Sequence, residues 1–244
     1  MLALVLPVAV LGYWLIRGLA NGAILPTLPG AALNSVYAAL LAALAATLAA
    51  LPIAAIAVRY QGRLSAYAER VTYLGYALPG IVVALALVFF GARYAPVLYQ
   101  TLPLLILAYV VRFLPQAVGA ARSSLLQITP QVEDAARGLG ATPPRVLTRI
   151  TVPLAAPGLV AGAALVFLTT IKELPVTLLL SPIGSRTLAT ETWAAASEAY
   201  FAQAAAPALL LVLVAGLALV FVLGGPRDAP HLPRWWPNLR NLLR

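Results

Sequence analysis

LNSVYAALLAALAATLAALPIAAIAV, the stretch from Leu33 to Val58, runs for 26 residues without a charged side chain. At a rise of 1.5 Å per residue, a helix of that length reaches roughly 39 Å, enough to cross the ~30 Å hydrocarbon layer of a bilayer. The alanine pairs from Ala38-Ala39 to Ala49-Ala50 let neighbouring helices approach closely. Close approach matters in lipid, where helices associate by packing and not by hydrophobic exclusion. Outward from this stretch, five further apolar segments follow the same logic: Leu2–Ile16, Val71–Phe90, Leu102–Val118, Leu154–Ile171 and Ala204–Leu223. Hydrophobic residues make up 62% of the chain and charged residues 9%, against about a quarter charged in soluble domains, so lipid is the solvent these segments fit. The expected fold class is all-α: a polytopic membrane helical bundle of about six transmembrane helices.

The 244 residues carry a net charge of +9. The arginines lie between apolar blocks instead of on one clustered face, so the charge speaks for topology and against a nucleic-acid footprint. With both termini in the cytoplasm, the inner side receives Arg59, Arg63, Arg70, Arg112, Arg122, Arg137, Arg145, Arg149, Arg227, Arg234, Arg240 and Arg244. The outer side receives only Arg17, Arg93 and Arg186. Leu2–Ile16 has a signal-peptide length, yet no basic residue precedes it and no cleavage site follows, so it is read as a short first span. Residues 1–225 are expected to form the transmembrane domain, with a basic cytoplasmic tail over 226–244.

Several chemistries are excluded. There is no cysteine, hence no disulfide or thiolate site. The only lysine is Lys172, followed by Glu173, so no phosphate-binding GxxxxGK[ST] loop exists and nucleotide hydrolysis belongs elsewhere. The only histidine, His231, sits in the tail beside Pro230 and Pro233, where solvation is the ordinary state; no metal site and no catalytic residue is assigned. Trp235-Trp236 beside Arg234 fit an interfacial anchor or a disordered end, not a base-stacking platform.

Two connections exceed what topology requires. The first, about 122–153, breaks into helical pieces: Pro130 starts one whose first turn holds Glu133 and Asp134, matching the positive end of the helix dipole. Gly138 and Gly140 stop it, and Pro143-Pro144 start a second short helix. The other, Pro175 to Gln203, carries the turn Ser181-Pro182-Ile183-Gly184 and the acids Glu191 and Glu198 around Trp193, which fits an outer loop or half-inserted segment. The acids are read as solvated, with cation binding or contact with a delivery protein as the alternative.

Glu133-Asp134-Ala135-Ala136-Arg137-Gly138-Leu139-Gly140, followed after nine residues by Ile150-Thr151-Val152-Pro153, resembles the EAA loop of binding-protein-dependent ABC importer permeases. That pattern is Glu-Ala-Ala, three residues, Gly, nine residues, Ile-x-Leu-Pro. Here Asp134, Ala135, Ala136, Gly140, Ile150 and Pro153 fall in register, with Asp in place of Glu and Val152 in place of Leu. Tyr76-Ala77-Leu78-Pro79-Gly80, Lys172-Glu173-Leu174-Pro175 and Thr187-Leu188-Ala189-Thr190 extend the resemblance to ferric-iron transport permeases, in particular to the second of their two fused halves.

The resemblance implies an inner-membrane, multi-pass permease half, not an enzyme. It would import a small solute, ferric iron first and thiamine or a phosphonate as alternatives. Implied partners are an ABC ATPase dimer holding ATP and Mg, a second permease half of the same or another chain, a periplasmic or lipid-anchored solute-binding protein, and membrane lipid; no cofactor is bound by the chain itself. It also implies that Asp134 or Glu133 makes polar contacts with the ATPase, Ala135 and Ala136 pack closely against it, and Gly140 makes the turn. Arg137, Ile150 and Pro153 complete the coupling element. A channel or scaffold working without ATP is the reading from another class.

Ionisable residues inside spans mark pathways. Counted from Leu154, Lys172 and Glu173 lie ~27 Å along a helix, near the outer boundary. There they are either an interfacial pair with a snorkelling lysine or, with Pro175 breaking the helix, part of an outer gate. Tyr76 and Pro79 are candidates for the translocation path, and Tyr73 for an interfacial anchor.

Overall fold

The computed structural model describes residues 2–22, 28–59 and 62–224. The tail over 226–244, with His231 and Trp235-Trp236, lies outside the described residues, as do its arginines. Every described element is helical: α1 (Leu2–Ala20), α2 (Leu28–Arg59), α3 (Arg63–Ala77), α4 (Gly80–Tyr94), α5 (Leu102–Leu126), α6 (Pro130–Gly138), α7 (Pro143–Val146), α8 (Val152–Thr170), α9 (Pro175–Leu180), α10 (Leu188–Ser197) and α11 (Phe201–Gly224). Among the described residues, α2, α5, the continuous helix Pro143–Thr170 and Phe201–Val220 are each long and apolar enough to cross a bilayer. The apolar α1 is shorter, and α3 and α4 form a bent pair.

α2, α5 and α8 pack on one another to form the centre, and α1 lies against α11. On α2 the small residues face in and the large ones out: Ala42, Ala46, Ala50 and Ala54 are fully buried, whereas Leu40, Leu44 and Leu48 are exposed. That is the inverse of a soluble helix, and follows from a solvent as apolar as leucine. Close backbone approach recurs between α5 and α8. A Cβ on Gly158 would stand 2.4 Å from Ser124 Cβ, and one on Gly162 2.9 Å from Ala120 Cβ. Gly158→Val is therefore expected to destabilise the bundle by about 1–3 kcal/mol through overpacking. Thermal unfolding in detergent should show the loss, and Gly216→Val, where nothing lies within 4 Å, should not.

Three features depart from the sequence expectations. The span expected over Val71–Phe90 is two helices meeting at 102°, because Pro79 caps α4 in an extended conformation and cannot continue α3. The second short helix expected after Pro143 does not end as one. α7 passes through a π-helical turn, Leu147–Thr151, directly into α8. The wider turn accommodates Pro153, which lacks an N–H to donate. Arg112, expected at the inner side, is the eleventh of 25 residues in α5.

Candidate functional site

The ends of the bundle are defined by α2, whose first turns meet α10 and whose last residue, Arg59, meets α6. At the α6 end, the first-turn acid Glu133 is buried, not presented outward. Arg59 donates to Glu133 Oε1 from Nη2 at 2.9 Å and from Nε at 3.2 Å. Thr151 Oγ1 donates to the same oxygen at 2.9 Å, and Arg137 stands 3.6 Å from the other. Arg59 also donates to the carbonyl of Ile128 at 3.2 Å. One carboxylate thus ties the end of α2, the entrance of α6 and the π turn before α8.

The exit of α6 is equally fixed. Gly140, at φ +86°, donates to Arg137 O at 2.9 Å, and Ala141 donates to Ala136 O at 3.0 Å. These are the two bonds of a Schellman ending, and its left-handed residue favours glycine. Ala136 is buried with Glu133, and the outward face of α6 carries Val132, Asp134, Ala135 and Leu139 together with Gln131 and Arg137. Asp134 is exposed and pairs with Arg137 at 3.0 Å. Leu139 is 90% exposed. Val132, Ala135 and Leu139 fall at i, i+3 and i+7, an apolar stripe on a helix that the bundle leaves uncovered. Ile150 is half-buried in the π turn and Pro153 is exposed.

A second polar region lies where α3 breaks into α4. A cavity of about 330 Å³ is lined by Gly75, Tyr76, Arg112, Phe113, Gln116, Thr169, Lys172 and Glu173. Arg112 sits at the break. A Cβ on Gly80 would collide with its guanidinium, so the glycine after Pro79 makes room for the charge. Arg112 Nε lies 3.5 Å from Glu173 Oε2, an ion pair without a hydrogen bond, and its guanidinium lies over the Phe113 ring at 5.5 Å. Thr169 Oγ1 lies 2.9 Å from both Gln116 Oε1 and the Leu165 carbonyl, to either of which it donates, and Gln116 Nε2 donates to Tyr76 Oη at 2.9 Å. Behind them Tyr109 and Thr177 hydroxyls meet at 2.6 Å.

Lys172 and Glu173 follow the end of α8 in a turn, and Glu173 faces Arg112, ten residues or ~15 Å from the Leu102 end of α5. Of the expected path residues, Tyr76, Lys172 and Glu173 come together at the cavity; Pro79 makes the break beside it, and Pro175 starts α9. Arg112, Gln116 and Thr169 were not assigned to it from the sequence. The signal for Arg112 was available: a single charge within Leu104–Leu114.

At the other end, Glu191 is neither solvated nor open to a cation: it is buried and pairs with Arg186 at 3.2 Å. Thr187 and Thr190 form a capping box that starts α10, and Leu188 N–H donates to Ser35 Oγ at 2.8 Å, pinning α10 to α2. Removing the cap with Thr187→Ala should cost about 1 kcal/mol, seen as faster amide exchange in the first turn of α10. Among the described residues, no group of three or more His, Cys, Asp or Glu side chains is placed to hold a metal ion.

Residues 50–225 match the family described as binding-protein-dependent transport system inner membrane component. The chain is 40% identical over 224 residues, 91% of its length, to a Fe(3+)-transport system permease protein, FbpB 2, of Haemophilus influenzae, and spans 44% of that protein. It is 28% identical over 197 residues, 79% of its length and 74% of the relative's, to a putative 2-aminoethylphosphonate transport system permease protein, PhnV, of Salmonella paratyphi A. Among solved structures it resembles a chain of a bacterial alginate ABC transporter, with a TM-score of 0.64 at 19% identity, covering 81% of this chain and 77% of that one. It also resembles a chain of the MetNI methionine ABC transporter, with a TM-score of 0.60 at 16% identity, covering 87% and 96%. With a family match over more than two thirds of its length and the bundle those structures share, the chain belongs to the binding-protein-dependent inner-membrane components, the permeases of ABC importers.

Proposed function

We propose that this chain is the membrane-spanning half of an importer for ferric iron, driven by a separate ATPase. The coupling role rests on one observation: α6 is locked to the ends of α2 and α8 through buried Glu133, while its other face, with Asp134, Ala135 and Leu139, is left uncovered. A rigid lever with a free apolar and acidic face is what a motor on another protein can grip. Glu133 and Ala136 hold the lever from inside, Asp134 supplies the outward charge, and Gly140 the turn.

In this reading the α6 end faces the cytoplasm, as do both termini, in line with the excess of arginine there. Two ATPase subunits, holding ATP and Mg, pull the levers of two permease halves together. The bundle then exposes its interior to one side at a time. A solute-binding protein on the outer side delivers the cargo. Ferric iron is supported by the 40% identity to the Haemophilus permease. A phosphonate is the second reading, supported by the likeness to PhnV over 79% of the chain.

The test is uptake into proteoliposomes holding the chain with its ATPase, second half and binding protein. Radioactive iron should accumulate only with ATP inside the ATPase compartment. Uptake without ATP would point to a channel, and accumulation of 2-aminoethylphosphonate in place of iron would establish the second reading.

A further inference from the structure

We propose that the cavity at the break between α3 and α4 is an anion site, taking carboxylate or phosph(on)ate oxygens on Arg112 and Lys172, so that the cargo passes the bundle as an anion or in company with one. An arginine inside a span is costly and persists where something pairs with it. Glu173 pairs with it only partly: Arg112 Nε and Nη1 are both buried without a hydrogen-bond acceptor. Lys172, exposed at the cavity, has no ion-pair partner among the described residues. The cavity therefore holds two cations and one carboxylate.

The hydrogen bonds point the same way. Gln116 Oε1 lies 2.9 Å from the Thr169 hydroxyl, whose one proton the Leu165 and Val166 carbonyls also reach, and Tyr76 Oη accepts from Gln116 Nε2, which leaves the Tyr76 proton to be donated elsewhere. Glu173 Oε1 receives the Val176 N–H at 3.5 Å. What remains around the cavity is positive charge and donors: the guanidinium of Arg112, whose side chain is 25% exposed, the ammonium of Lys172 and the phenol of Tyr76. Arginine presents its donors in the fork that matches two oxygens of one carboxylate or phosphate. A bare ferric ion, a hard cation that needs several oxygen ligands, finds one carboxylate here between two positive charges.

This inference rests on the importer reading and deepens it, and two sources of the oxyanion fit: an anionic cargo by itself, or an anionic ligand carried with iron. The test uses the assembled complex in nanodiscs, with radiolabelled inorganic phosphate, 2-aminoethylphosphonate, citrate and ferric citrate as probes. At least one probe should bind, and Arg112→Gln and Lys172→Gln should each weaken it tenfold or more, with Arg112→Lys intermediate. Binding of phosphate, phosphonate or citrate without iron identifies the anion as cargo; binding only as the ferric complex identifies it as a companion ligand.

Absence of binding by all four probes, or binding unchanged in both Gln variants, overturns the site. Should Arg112→Gln fail to assemble, Lys172→Gln, at an exposed side chain, decides alone. Uptake by the wild-type complex is measured in parallel. Iron or phosphonate uptake with probe binding indifferent to both variants sinks the anion site and leaves the importer standing. Charge-dependent probe binding without uptake of either cargo sinks the cargo assignment instead.

Discussion

Glu133→Ala is expected to loosen α6 from the bundle and to uncouple transport from ATP hydrolysis. The carboxylate is buried; Arg59 of α2 and Thr151 of the π turn donate to it, and Arg137 of α6 itself stands 3.6 Å away. Deleting it leaves Arg59 with its charge in a mostly enclosed site. Breaking a buried pair from one side costs about 3–5 kcal/mol, and about 3 is the appropriate end because Arg59 keeps 19% of its side chain in solvent. The loss is local, so it should appear as amide exchange in α6 faster by about a hundredfold, with α5 and the body of α8 unchanged. Glu133→Gln keeps an oxygen for Thr151 and Arg59 and should lose much less. In a double-mutant cycle with Arg59→Ala, the second substitution should cost little once the first is present. An α6 that exchanges as slowly in Glu133→Ala as in wild type would show that the latch does not hold the lever.

The contrast between Glu133 and Asp134 shows what could be read from the chain and what could not. The helical register of α6, its start at Pro130 and its end at Gly140 were legible, since each depends on neighbours within a few residues. Which of two adjacent acids faces the bundle was not, because that is decided by Arg59, 74 positions away. The same division holds in the membrane. All six apolar segments form helices, for hydropathy measures transfer into lipid.

Hydropathy carries no direction, so the 102° break at Leu78-Pro79 passed as one span although its proline and glycine were in view. The partners of Lys172 and Glu173 were missed for a related reason. Counting along the helix from Leu154 gives a distance but no neighbours, and those come from α5, through Gly158 on Ser124 and Glu173 on Arg112. Leu139 was passed over because a leucine between two glycines looks like turn filler until its exposure is known.

Leu139→Asp should then be the most damaging change to assembly that leaves the permease itself intact. The side chain is 90% exposed and touches no core, so the free bundle should lose no more than about 0.5 kcal/mol. In the complex it would be an apolar anchor at the end of the lever, and a carboxylate there replaces burial with an unpaired charge. Anchors of this kind are worth about 2 kcal/mol or more, which corresponds to roughly 30-fold weaker association with the ATPase. The comparison is Ile183→Asp, the same chemistry at a side chain 88% exposed in the turn before α10, at the opposite end of α2. Co-purification with the ATPase should fall for Leu139→Asp and hold for Ile183→Asp, and transport-coupled ATP hydrolysis should fall with it. If both variants retain the ATPase equally, the uncovered stripe of α6 is not where the motor grips, and the coupling role has to be sought on another surface of that end.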